Sequence, residues 1–267
     1  RIQGKTGRDR TGSVFGWKNA AAPARVTAMN QADIVRRYLH EPRDVDFCDT
    51  GLPLLTISRE AGTEAHAIGR YILMRLAEYA DPDLNAGWDL FDQKLCALIA
   101  QNKSLDADYD MLVNDKYRGG GLHRLVYELL IGTPQEYRIQ KKIEEVVLLL
   151  ARLVKVVIIG RGGFQIARHI PGAIHLRLVA PMDYRVQNVM KHDRLAEAEA
   201  LKKIRAADAE RTRFLKEHHH CDIADPTNFD LVWNVARFPV AEIVAATAEL
   251  VRARLQRLRD TGVVPRR

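Results

Sequence analysis

The chain has 267 residues, 47% hydrophobic and 28% charged, a globular composition with enough length to bury a core. Lysine and arginine number 41 against 34 acids, a net charge of +7 that suits an enzyme of phosphate compounds and leaves nucleic-acid or anionic-lipid contact open. No apolar run approaches the ~18 residues of a membrane span, and three widely spaced cysteines (Cys48, Cys96, Cys221) exclude a disulfide framework and point to a reducing, cytoplasmic setting.

Residues 1–50 form a basic N-terminal extension. Gly4, Gly7, Gly12 and Gly16 sit among Lys5, Arg8, Arg10 and Lys18 without apolar periodicity, so 1–25 reads as a flexible arm or linker. Val26, Met29, Ile34, Val35 and Leu39 allow a short helix over 26–40, which Pro42 closes. From residue 52 the pattern turns α/β. Leu54–Ile57 reads as a strand, 67–79 as a helix, 88–92 as a second strand and 94–101 as a helix. Residues 102–121 are polar and read as a loop, and 122–131 as a helix. Thr133-Pro134-Gln135-Glu136 is a capping box that opens a helix running to about 153.

Lys155 to Gly160 is apolar on both faces, as a central parallel strand must be. Strand 174–179, helices 183–190 and 196–218, strand 229–233 and helix 240–258 complete the chain. Strands alternating with helices imply a parallel sheet covered on both faces, with ligands beyond the carboxyl ends of the strands. That rule directs attention to 58–69 and to 160–163.

The first loop reads Ser58-Arg59-Glu60-Ala61-Gly62-Thr63-Glu64-Ala65-His66-Ala67-Ile68-Gly69. A strand-to-helix turn offers backbone N–H groups and a helix dipole to an anion. Against G-x-x-x-x-G-K-[ST], Ser58 takes the first glycine position and Thr63 the second. Glu64 then replaces the lysine and Ala65 the magnesium-binding hydroxyl, so a plain βα turn is the competing reading. In the second loop, Gly160-Arg161-Gly162-Gly163, Arg161 projects at the sheet's carboxyl edge, where a guanidinium suits a phosphate. Asp208 and Arg211 share a helix face, and Arg205, Arg211 and Arg213 could supply charge over a transferring phosphoryl group; on charge pattern alone a solvated helix with ordinary surface pairs is the better reading. His218-His219-His220-Cys221-Asp222 does not read as a metal site, because consecutive positions do not converge on one point.

These pieces, in this order, resemble the cytidylate kinase-like family, a branch of the nucleoside monophosphate kinases. The resemblance covers about 53–260. It rests on Thr56-Ile57-Ser58-Arg59-Glu60 leading into Gly62 and Ile68-Gly69, on Phe91-Asp92, and on 157–163. It continues through His175 to Pro181 with Arg185, Asp208-x-x-Arg211, Asp225-Pro226 and Phe229 to Asn234. It implies a P-loop kinase-like fold over 51–262, with a helical insert near 93–152 and a lid near 191–222. It also implies nucleotide binding and transfer of the ATP γ-phosphoryl, with Mg2+, to CMP or dCMP. By position Arg161 would meet the acceptor phosphate, while Asp208 and Arg211 match a lid Asp-x-x-Arg; these three are the expected catalytic residues. Ser58, Arg59, Gly62, Thr63 and His66 are the expected cofactor-binding residues, Arg59 or His66 standing in part for the lysine. No metal-ligating residue is assigned. The family's loop, Gly-Ser-Gly-Gly-Arg-Glu-Ile-Gly, here reads Gly62-Thr63-Glu64-Ala65-His66-Ala67-Ile68-Gly69, with two glycines lost and arginine changed to histidine.

Two other functions compete: a non-catalytic nucleotide-binding or regulatory module with a decayed P-loop, and an interaction protein whose basic arm meets nucleic acid or membrane. Nucleotide small molecules are the expected partners. Nucleic acid ranks below them, and the sequence leaves room for a homo-oligomer.

Overall fold

A computed structural model describes residues 53–92, Val147 and 155–261. Five parallel strands form one sheet: β1 (Leu54–Arg59), β2 (Trp88–Phe91), β3 (Lys155–Ile159), β4 (Ala173–Val179) and β5 (Leu231–Asn234). Their spatial order is β2-β3-β1-β4-β5. Leu55 pairs with Val157 of β3 on one side and with Ile174 of β4 on the other, which makes β1 the central strand. From β1 the chain crosses to edge strand β2, returns to β3 beside β1, and then passes to β4 and β5 on the other side, and this change of direction opens a crevice at the carboxyl ends of β1 and β3.

Alternation along β1 assigns the two faces of the sheet. Leu55 and Ile57 join the main core with α1 (Ala65–Leu76) and with α6 (Val240–Asp260). In α1 the buried residues Ile68, Ile72 and Leu76 recur every four positions, so one stripe faces the sheet. Each such side chain contributes about 1.5–3 kcal/mol by burial. Thr56 and Ser58 face the opposite side, against the short α3 (Gly163–Ile166), where Gly163 packs on Ile158 and Thr56.

Two more helices cross the carboxyl edge of the sheet. Helix α4 (Met182–Asp193) and helix α5 (Glu197–His219) share a small core of Val186, Val189, Ala200 and Ile204. The far end of α5 enters another small core, where Leu215 meets Phe164 of α3 and Ile223. Helix α5 is thereby anchored at both ends and lies over the β1 and β3 termini. Among the described residues no helix is long and apolar enough to cross a membrane.

The alternating α/β pattern is the fold that forms, with shifted borders. Helix α1 starts at Ala65 and stops at Leu76, earlier at both ends than 67–79. Strand β5 starts at Leu231 rather than at 229, because Asp230 acts as a tie. Its carboxylate accepts from the His175 N–H and pairs with Arg254, and its own N–H donates to the His175 carbonyl. Two short helices escaped the periodicity, α2 (Pro82–Asn85) and α3, each only one turn long. Asp81 caps α2 by accepting from the Asp83 N–H, and Arg259 of α6 bridges Asp81 and Asp83. The arm over 1–50 and the helices expected at 94–101, 122–131 and 133–153 lie outside the described residues, apart from helical, buried Val147.

Candidate functional site

At the carboxyl edge of β1 and β3 a cavity of about 600 Å³, counting the part open to solvent, is lined by Thr56 to Arg59, Gly160 to Gly162 and Phe164. Glu210, Arg211, Phe214, Leu215 and Ile223 form its other wall. Three arginines, Arg59, Arg161 and Arg211, thus face a cavity that Ile57, Phe164, Phe214, Leu215 and Ile223 also make apolar and aromatic.

The turn after β3 is built to bring arginines together. Gly160, Arg161 and Gly162 have φ of 81°, 55° and 66°, three left-handed residues in succession. A Cβ at Gly160 would lie 1.8 Å from Nη1 of Arg59, and a Cβ at Gly162 would lie 2.6 Å from Nε2 of His219. Both glycines are thus seats for side chains that reach in from other elements. Burial, followed by the positive charge of Arg211, pushes the Arg59 pKa down to about 10. Asp92, just after β2, acts the other way, and Arg161 adds to the lowering. Three guanidiniums therefore repel one another across a partly dry cavity, and a bound anion would relieve that repulsion.

The strand-to-helix loop beside this cavity is held by α4. Arg185 donates to the Ala61 carbonyl, Asn188 to the Gly62 carbonyl, and His192 pairs with Glu64 at 2.6 Å. Positions 185, 188 and 192 lie on one helical face, so a single stripe grips three consecutive parts of the loop. Gly62, at φ 86°, touches the backbone of Arg185, whose carbonyl oxygen would sit 2.7 Å from any Cβ there. Glu64, at φ 55°, precedes the first turn of α1, whose first helical bond runs from the Ile68 N–H to the Glu64 carbonyl. The earlier N–H groups of that turn have no carbonyl of their own helix to meet and are the donors a phosphate would use.

The expected site residues divide into two groups. Ser58, Arg59, Arg161 and Arg211 meet at the cavity. Gly62, Thr63 and His66 lie on the adjoining loop, outside its lining. The Thr63 hydroxyl is buried and donates to the Glu60 carbonyl at 2.8 Å. His66 faces Asp92 at 3.3 Å; burial and then the Arg59 charge lower its pKa. Asp208 is fully engaged, accepting from the Ala61 N–H, Arg185 and Arg211. Arg205 and Arg213 are exposed on α5 and do not line the cavity.

Several participants carried no signal that spacing could expose. Buried Arg177 of β4 donates to the Ser58 hydroxyl at 3.3 Å and lies over the Phe229 ring. Burial lowers its pKa, which Glu60, Asp208 and Asp222 oppose. Glu60 accepts from the Ala180 N–H and lies 3.5 Å from Arg185. Only the i, i+3, i+7 spacing of polar residues on α4 hinted that this helix addresses the loop. Among the described residues no group of three or more His, Cys, Asp and Glu could hold a metal ion.

The sequence matches the profile of the cytidylate kinase-like family over residues 54–237. The chain belongs to the cytidylate kinase-like family. No curated protein matches it. Among solved structures, an uncharacterized protein from Eubacterium ventriosum ATCC 27560 is similar at 15% identity and a TM-score of 0.57, over 75% of this chain and 98% of that one. A shikimate kinase from Bacteroides thetaiotaomicron follows at 13% identity and a TM-score of 0.40, over 75% and 98%. The Thermus thermophilus protein TT1252 matches at 18% and 0.39, over 76% and 97%. The first of these likenesses supports the fold alone. The arginine cavity stands where β1 and β3 end, and α4 holds the adjoining loop through Arg185, Asn188 and His192.

Proposed function

We propose that this cytidylate kinase-like protein binds nucleotides in the arginine cavity and transfers the ATP γ-phosphoryl to a (deoxy)cytidine monophosphate-type acceptor. The observation that carries this reading is the meeting of Arg59, Arg161 and Arg211 at one cavity, where burial first, and then the charges of Arg211 and Arg161, push Arg59 down to about 10. Arg161, left-handed between two glycines just past β3, lines the cavity and holds the acceptor phosphate. Arg211 balances the charge of the transferring group. Arg59 takes the electrostatic part of the missing lysine, lying across Gly160. The first-turn N–H groups of α1 receive the donor phosphates. ATP supplies the phosphoryl group; the protein's contribution is positioning and charge, which phosphoryl transfer chiefly needs.

The loop does not fit magnesium: Ala65 has no oxygen at the hydroxyl position, and the Thr63 hydroxyl is already donated to Glu60. This favours a second reading, a nucleotide-binding module without transfer. Glu64, at the lysine position and held by His192, points the same way. A coupled assay of nucleoside monophosphates with ATP and magnesium, beside calorimetric titration of CMP and ATP, separates the two. Turnover supports the phosphotransferase, binding without turnover supports the module, and no binding of either nucleotide rejects both. A cytoplasmic setting belongs to this reading, as three sparse, widely spaced cysteines suggest a reducing compartment.

A further inference from the structure

Asp208 is held as an anion ligand would be. Its Oδ1 accepts from the Ala61 N–H at 2.8 Å and from Arg211 Nη1 at 2.9 Å. Its Oδ2 accepts from Arg185 Nη1 at 2.5 Å. The donors come from three elements: the loop after β1, α5 and α4. Arg185 is 6% exposed and is fixed by a bond from its Nε to the Ala180 carbonyl at 3.0 Å. Two guanidiniums and a backbone N–H at a strand-to-helix turn are a donor set suited to phosphoryl oxygens. A carboxylate is the nearest equivalent a protein carries in its own side chains. Loss of a buried charge's partner is costly, and the carboxylates of Asp208 and, at 3.5 Å, Glu60 balance buried Arg185.

We propose that the Ala61 N–H, Arg185 and Arg211 form a phosphoryl-anion site, and that Asp208 occupies it as an internal competitor. A polyphosphate or phosphate monoester gains this site by displacing the Asp208 carboxylate, and α5 moves with it. The inference rests on the reading of the adjoining cavity as a phosphate site, because Arg211 belongs to both. It makes the Asp208-x-x-Arg211 pair antagonists: the arginine attracts the ligand while the aspartate holds its place. The middle of α5 then reports whether anion is bound.

The probe is inorganic pyrophosphate, titrated calorimetrically into the full chain and into Asp208→Asn. Vacating the cradle's charge tightens binding about tenfold. Glu217→Gln removes the same charge from an exposed position of α5 that lines neither the cavity nor the cradle, and changes binding less than about twofold. Equal gains in the two variants, or no gain in Asp208→Asn while the wild type binds, overturn the inference and leave the cavity reading intact. Absence of pyrophosphate binding in the wild type and both variants overturns the cavity reading and this inference with it. Asp208→Ser serves if the asparagine chain does not fold. In the unmodified protein the Ala61 amide resonance shifts on adding pyrophosphate; an unmoved resonance overturns the displacement.

Discussion

Gly160 carries more of the site than its size suggests. Its φ of 81° and its missing Cβ let the Arg59 guanidinium lie across the turn. Gly160→Ala costs about 1–2 kcal/mol for a left-handed alanine. It also evicts Arg59, so pyrophosphate binding falls in calorimetry while the circular dichroism of the folded chain is unchanged. Arg161 was readable from the sequence because it directly follows a strand apolar on both faces. Arg59 was readable because it ends β1. Thr63 and His66 were expected to bind cofactor from the loop's resemblance to the family, and in the structure their side chains contact Glu60 and Asp92. Those contacts depend on partners that no local pattern announces. Asp208 meets Ala61 across 147 positions, and a single sequence contains no sign of that pairing.

At the scale of elements, α4 and α5 both end in strained left-handed residues, Arg194 at φ 55° and His220 at φ 49°. Neither is glycine, the residue that normally fills such a position. Arg194→Gly and His220→Gly each stabilise by about 1 kcal/mol, read as a higher urea midpoint with an unchanged slope. Long periodic elements were legible, and α5 and α6 fall within two residues of their expected borders. One-turn α2 and α3 were not, since four residues hold too little periodicity. Their existence depends on tertiary anchors, Arg259 for α2 and packing of Phe164 on Phe229 for α3.

Across the whole molecule, two half-buried histidines set a pH limit. Burial lowers the pKa of His66, with the Arg59 charge second, and burial lowers that of His175, which Asp230 opposes. Both remain neutral in the folded chain at pH values where the unfolded chain takes up protons. Stability from these groups is therefore fully present above the ordinary histidine value of about 6.5 and is lost as pH falls below it. The thermal midpoint drops between about pH 7 and pH 5, and the drop is smaller in a His66→Gln, His175→Gln double variant. An unchanged slope in that variant would assign the loss to other groups.

The arginine cavity is the proposed seat of a nucleotide phosphate, and calorimetric titration of CMP into wild type and Arg161→Ala tests this directly. Charge-assisted hydrogen bonds of about 1.5–3 kcal/mol predict binding by the wild type and about 10- to 100-fold weaker binding by the variant. A wild type that takes up no CMP, or a variant that binds it equally well, contradicts the account.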